Sequence, residues 1–377
     1  MSEDQHRPRV AVIGVGRIGK AHAYQLAKHD DLCTLVGMCR DKGDLACNDV
    51  YDWMVQRRNL PPQRVAALRH TTRTFVDHTA MIDTLKPDAV IIASPVEHHY
   101  EHAMYALEHG CHVLCEKPLC WDPRIGTHEN RRNAEELFVF AQLKDRILAG
   151  GSQYAAIVHN DMPGIHHAAG LQRALDPRDV TYMKVRFGTA SGCGGEELLV
   201  DLGDHLLTLL RGLCGPGSLI LGTNPNRTQL LPFTEPTDYK LIVAGDYKQP
   251  SGSTVGVRFH LDATPMDPKK PAADENAAKQ YLEITIGTKD NSYTVRKWDD
   301  AGPPYRFGLQ SGERTSTIVN ITDPLESCDT SFLRAVAGHD DPAITDQPIG
   351  NPHLLDAVNG MLCNMIQAYR IHKRKSN

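Results

Sequence analysis

A lysine held by a following proline, Glu116-Lys117-Pro118, comes directly after a short apolar run, Val113-Leu114-Cys115. If that run is a strand of a parallel sheet, Lys117 stands outside a strand's carboxyl end, where open α/β sheets bind their ligands. An ammonium there can bridge a cofactor and a substrate. A second pair, Asp201 and His205, lies four residues apart in a helical stretch and so shares one face. Histidine, with an ordinary pKa of about 6.5, exchanges a proton near neutrality. The aspartate can orient it or hold a substrate hydroxyl; the same spacing also suits a pair that only stabilises the helix. Gly203 between them costs a helix about 1 kcal/mol relative to alanine. Close approach of a ligand or of another backbone would account for it.

These side chains need a frame, and the first 120 residues supply one. Val10-Ala11-Val12-Ile13 is a continuous apolar run that suits a strand buried on both faces. It ends in Gly14-Val15-Gly16-Arg17-Ile18-Gly19, a G-x-G-x-x-G turn that opens a helix reaching about His29. The first glycine permits the tight turn, the second lets the backbone approach a pyrophosphate, and the third allows close helix–strand packing; the helix amino end favours the anion. A second strand, Leu32 to Cys39, delivers Arg40 and Asp41 about twenty positions after the last glycine. An acid there would take the ribose 2′-hydroxyl of NAD, and an arginine the 2′-phosphate of NADP. Arg40 comes first and Lys42 follows Asp41, so NADP is favoured over NAD. Pro87-Asp88 opens the strand Ala89 to Ala93, closed by Ser94-Pro95 where a nicotinamide or ribose would lie. A helix from Glu97 to His109, stopped by Gly110, leads to the strand His112 to Cys115. This β-α-β alternation predicts an α/β fold with an N-terminal doubly wound parallel sheet, a Rossmann domain over residues 1–122.

Beyond Trp121-Asp122-Pro123 the pattern changes, and a C-terminal α+β domain on an open, mostly antiparallel sheet is expected over 123–350. Helices are expected at Asn130 to Leu143 and Glu196 to Leu213. Strands are expected at Ile147 to Gln153, Val180 to Phe187, Tyr239 to Ala244, Thr254 to Leu261, Tyr281 to Ile286 and Ser292 to Trp298. Tyr281 to Ile286 alternates as a half-buried antiparallel strand does, with Gly287 to Asn291 as its hairpin turn. Met266 to Ala277 reads as an exposed loop. A last amphipathic helix, near Pro352 to His372, forms a third segment (351–377) expected to pack back near the Rossmann domain.

Composition narrows the partners. The chain of 377 residues has a net charge of -5, so no broad basic surface for nucleic acid is implied. The first residues lack the apolar core of a signal peptide, and no apolar run is long enough to span a membrane; a cytoplasmic setting is expected. The ten cysteines contain no C-x-x-C pair, and His109, Cys111, His112 and Cys115 read as a helix end and a buried strand, so no metal is expected. An exposed sheet face makes a homo-oligomer, a dimer or tetramer, the expected assembly.

Gly14-Val15-Gly16-Arg17-Ile18-Gly19, Ser94-Pro95 with His99, Glu116-Lys117-Pro118-Leu119 and Asp201-Leu202-Gly203-Asp204-His205 occur in an order that resembles the glucose-fructose oxidoreductase / inositol dehydrogenase / MocA family. The resemblance implies hydride transfer between nicotinamide and a hydroxyl-bearing carbon of a sugar, sugar derivative or cyclitol. It makes Lys117 the contact to the reacting oxygen, His205 the acid/base and Asp201 its positioner or a substrate contact. It also places Gly14, Gly16, Arg17, Ile18, Gly19, Arg40, Asp41, Ser94, Pro95, His99, Glu116 and Lys117 along the cofactor. Tyr154, after the strand that opens the second domain, is a further substrate-contact candidate. Two other readings stay open: a glycoside hydrolase or lyase that transiently oxidises its sugar with tightly bound NAD, and a non-catalytic dinucleotide-binding regulator.

Overall fold

The computed structural model describes residues 7–150, 176–189, 191–221, 233–263, 281–297, 305–311, 314–321, 323–338 and 352–376. Tyr154 and the loop Met266 to Ala277 lie outside the described residues. Two compact units emerge: Met1–Gln153 with Leu325–Asn359, and Tyr154–Pro324 with Gly360–Asn377.

The first unit is built on six parallel strands: β1 (Arg9–Ile13), β2 (Thr34–Cys39), β3 (Arg73–Phe75), β4 (Ala89–Ile92), β5 (His112–Cys115) and β6 (Leu148–Gly150). Their order is β3-β2-β1-β4-β5-β6, so the chain reverses direction across the sheet between β1 and β4. This is the doubly wound dinucleotide-binding order. The apolar runs are central: all four residues of β4 are fully buried, as are Val10, Ala11 and Val12 of β1 and Val113, Leu114 and Cys115 of β5.

Helices α1 (Arg17–Lys28), α2 (Asn48–Arg58), α3 (Pro62–Thr71), α4 (His78–Leu85), α5 (His99–Glu108) and α6 (Thr127–Leu143) connect or flank these strands. Asp77 caps α4 by accepting the Thr79 N–H. A short 3-10 turn, Val96–His98, precedes α5, and Gly110 at φ +79° ends it, turning the chain into β5. Ala103, Ala106 and Leu107 of α5 are fully buried, as the predicted apolar side requires. Helices α2 and α3 had no sequence signal, because polar and charged residues dominate both and only Val50, Tyr51, Met54 and Val65 are buried. The sequence boundary at residue 122 falls before two elements that belong with this sheet: β6 extends it beside β5, and α6 contacts α5.

The second unit holds nine described strands: β7 (Val180–Gly188), β8 (Ser218–Ile220), β9 (Phe233–Thr237), β10 (Lys240–Lys248), β11 (Thr254–Asp262), β12 (Tyr281–Thr288), β13 (Ser292–Lys297), β14 (Tyr305–Ser311) and β15 (Arg314–Ile321). The sheet runs β15-β14-β13-β12-β7-β11-β10-β8, with β9 also on β10. Among these pairs β7–β11 is parallel and the others antiparallel. In β12 the predicted alternation is realised: Leu282, Ile284 and Ile286 are buried, and the turn to β13 closes between Thr288 and Asn291. Helix α7 (Gly195–Cys214) packs on β7, β10 and β11 through its leucines.

Helix α8 (Pro324–Val336) falls with the first unit from Leu325 onward, whereas helix α9 (Pro352–Ser376) is divided between the units at Asn359 and Gly360. No helix among the described residues is long and apolar enough to cross a membrane.

Candidate active site

A cleft of about 920 Å³ opens at the carboxyl ends of β1, β2 and β4, within the size range of small-molecule sites. It is lined by Gly14 and Gly16 of the glycine turn, Arg40 to Gly43 after β2, Val76 to His78 after β3, and Ala93 to Pro95 with Glu97, His98, Glu101 and His102. Gly14 has φ +85°, and a Cβ there would lie about 2.5 Å from the Ser94 backbone, so only glycine fits. Gly16 is different: a Cβ there would meet no atom within 4 Å. The protein itself does not demand a glycine at this exposed position, so the empty space next to the amino end of α1 fits a ligand that approaches the backbone. A pyrophosphate is such a ligand.

Arg40 is tightly engaged. Its guanidinium donates to Asp49 Oδ1 at 2.8 Å and to the Val15 carbonyl at 2.5 Å, tying the β2 loop to the glycine turn. Burial opposes charge on Asp49, yet hydrogen bonds from Lys20 and Arg40 hold its carboxyl below the usual range. Asp41 and Lys42 project into solvent, with side chains 78% and 89% exposed.

Three histidines of the cleft wall were not singled out from sequence. His102 stacks on His98 with ring centroids 5.7 Å apart and lies 4.2 Å from the His78 ring, while its Nδ1 sits 2.9 Å from Ser94 Oγ. Burial, together with the neighbouring His78 and His98, pushes His102 down to about 3, so the ring is neutral. The i, i+4 spacing of His98 and His102, just after Ser94-Pro95, was the available signal.

His99 lies behind this wall, 1% exposed, and does not line the cleft. One ring nitrogen is 2.9 Å from the Pro118 carbonyl and the other 3.0 Å from the Ser94 carbonyl, so it ties the turn after β4 to the turn after β5. Burial lowers its pKa despite those two carbonyls. Arg17, Ile18 and Gly19 form the first turn of α1 and also lie off the cleft lining.

Lys117 follows β5, the strand beside β4, and is half-buried; the Lys117–Pro118 bond is cis. Glu116 turns inward, 8% exposed, and its Oε1 lies 3.1 Å from His22 Nε2. In the second unit, Asp201 and His205 lie one helical turn apart on α7; His205 is 4% exposed and packs edge-on against Phe187 at 5.7 Å. Asp201 is half-buried, with Cys193 Sγ 3.9 Å from Oδ2. Gly203 is explained by packing: a Cβ would sit 2.8 Å from Leu362 and from Met365 of α9.

Among the described residues no group of three or more metal-ligating side chains is assembled. Residues 8–128 match the oxidoreductase family with an NAD-binding Rossmann fold. The chain is 36% identical over 116 residues to D-glucoside 3-dehydrogenase of Escherichia coli, covering 30% of this chain and 28% of that one. It is 33% identical over 113 residues to glycosyl hydrolase family 109 protein 2 of Akkermansia muciniphila, covering 30% and 22%. The matched stretch thus spans under a third of either relative. At the level of the whole fold, an inositol dehydrogenase homologue from Azotobacter vinelandii, solved with NADH and myo-inositol, superimposes with TM-score 0.63 over 97% of this chain and 96% of that one, at 16% identity. Over residues 8–128 the chain is thus similar to the dinucleotide-binding region of the glucose-fructose oxidoreductase / inositol dehydrogenase / MocA family of oxidoreductases.

Proposed function

We propose that this protein is an NAD(P)-dependent oxidoreductase acting on a hydroxyl-bearing carbon of a sugar, sugar derivative or cyclitol. The observation that carries the reading is the cleft at the strand-order reversal, with Gly16 left open beside the amino end of α1; Lys117 follows β5, the next strand along, and lies off the cleft lining. Gly14, Gly16, Arg40, Asp41, Ser94 and Pro95 would hold the dinucleotide. When bound, its nicotinamide supplies or accepts the hydride. Lys117 stabilises negative charge on the reacting oxygen. His205 takes the hydroxyl proton in the oxidative direction and returns it in the reductive one, and Asp201 orients His205 or a substrate hydroxyl. Tyr154 is assigned as a further substrate contact. NADP is the favoured cofactor, because Arg40 and Lys42 flank the position of a 2′-phosphate. The proposed assembly is a homo-oligomer, a dimer or tetramer.

The similarity to a relative named as a glycosyl hydrolase supports a second reading. There, oxidation of a sugar hydroxyl acidifies the neighbouring C–H, elimination breaks the glycosidic bond, and the cofactor returns to its starting state. One screen separates the two. Glucosides, free sugars and inositols are offered with NADP or NAD while nicotinamide absorbance and products are both followed. Stoichiometric absorbance change with product supports the dehydrogenase. Cleavage without net absorbance change supports the second reading, and cofactor binding without any product would overturn both.

A further inference from the structure

The buried charges behind Lys117 carry an inference that rests on the reading above and deepens it. His22 of α1 is fully buried, and both its ring nitrogens face carboxylates. Nδ1 lies 2.8 and 3.0 Å from the two oxygens of Asp329 on α8, and Nε2 lies 3.1 Å from Glu116 Oε1. An ionised carboxylate only accepts, so a ring between two of them satisfies both contacts when both nitrogens carry protons. The second oxygen of Glu116 in turn accepts the Lys117 backbone N–H at 3.2 Å. One ring thus joins three elements: the helix that meets the cofactor, the turn that carries the lysine, and α8. All of these residues belong to the first unit.

We propose that His22, held as an imidazolium between Asp329 and Glu116, is the positioning residue for Lys117. It neutralises and fixes the Glu116 carboxylate on which the lysine turn hangs. Without the ring's positive charge, two buried carboxylates would face a neutral ring, and the turn would shift. The direction of the ring's pKa agrees: burial alone would lower it, but Asp329 and then Glu116 outweigh burial and raise it to about 10.

Asp329→Asn tests this, since it keeps the shape of the site and removes one charge from a residue outside the cleft. The variant should lose about 10- to 100-fold in kcat through misplacement of the lysine, with KM and NADPH affinity within about threefold. Its pH–rate profile should also fall with rising pH at a lower value than the wild type's, because its His22 loses the proton sooner. Asp329→Glu should restore most of the rate. The ring is observed directly in protein labelled with ¹⁵N-histidine: both His22 nitrogens are expected to be protonated at pH 8. A singly protonated ring there would overturn the proposal, as would an unchanged kcat in Asp329→Asn. If the wild type turns over none of the screened compounds, the functional reading fails separately. The relay is then judged by ¹³C-methylated Lys117, identified with Lys117→Arg; a resonance that moves in Asp329→Asn supports the proposal and a fixed one overturns it. Should Asp329→Asn fail to fold, Glu116→Gln carries the same measurements.

Discussion

Lys117 and Arg40 make opposite kinds of contribution in the proposed reaction. Lys117 is placed where charge develops, so Lys117→Ala should lower kcat by about 10²- to 10³-fold. It should leave the cofactor Kd, read by fluorescence titration, within about tenfold; full turnover in that variant would remove the lysine from the site. Arg40 faces the cleft but is already anchored to Asp49 and to the carbonyl of Val15. It therefore braces the glycine turn, and in the proposed complex with NADP it would also meet the 2′-phosphate. Arg40→Asp should shift the ratio of NADP to NAD affinity toward NAD by about 10- to 100-fold, the loss of a charge-assisted contact. An unchanged ratio would leave Arg40 with the bracing role alone. Both residues were visible in the sequence from their offsets after strands. The engagement of Arg40 was not, because Asp49 is nine positions away on a helix with no amphipathic signal.

At the level of elements, the glycines of the first turn and of α7 serve different ends. Gly14→Ala would force a side chain into the Ser94 backbone at a positive φ and should destabilise the first unit. Gly16→Ala meets nothing in the protein, so the melting temperature should hold while NADP(H) affinity falls. Calorimetry paired with a binding titration separates these outcomes; equal affinity for Gly16→Ala would mean that no ligand approaches this backbone. On α7, Gly203→Val would press on Leu362 and Met365, both fully buried, and should cost about 1–3 kcal/mol of overpacking. Denaturant unfolding measures that loss. The sequence raised ligand approach or backbone contact as reasons for this glycine, and packing of α9 side chains is what the fold supplies. That contact joins residues about 160 positions apart, beyond the reach of any local pattern.

For the molecule as a whole, the buried His22 predicts how stability depends on pH. Its folded pKa, about 10, lies above the ordinary value of 6.5. The stabilisation it contributes is therefore complete below pH 6.5, declines as pH rises, and is gone above about 10. Asp329→Asn should melt lower than the wild type near pH 6.5, and the two melting curves should converge toward pH 10. Parallel curves across that range would mean that the two carboxylates do not hold His22 protonated in the folded state.

The sequence alone determined the alternation of β1, β2, β4 and β5 with the helices after the glycine turn and before β5, the glycine turn itself, and the spacing of Lys117, Asp201 and His205. These follow from local rules: apolar runs buried on both faces, a turn with glycines at fixed offsets, and helical periodicity. The tertiary structure decided what non-local contacts decide. It placed Asp329 beside His22 across 307 positions of chain and brought Glu116 to the other ring nitrogen. It brought three histidines together on the cleft wall, set His99 behind it, and added β6 and most of α8 to the first unit. A buried charge declares its partner only when the chain has folded, because the cost of leaving water is offset by groups that no spacing in the sequence connects.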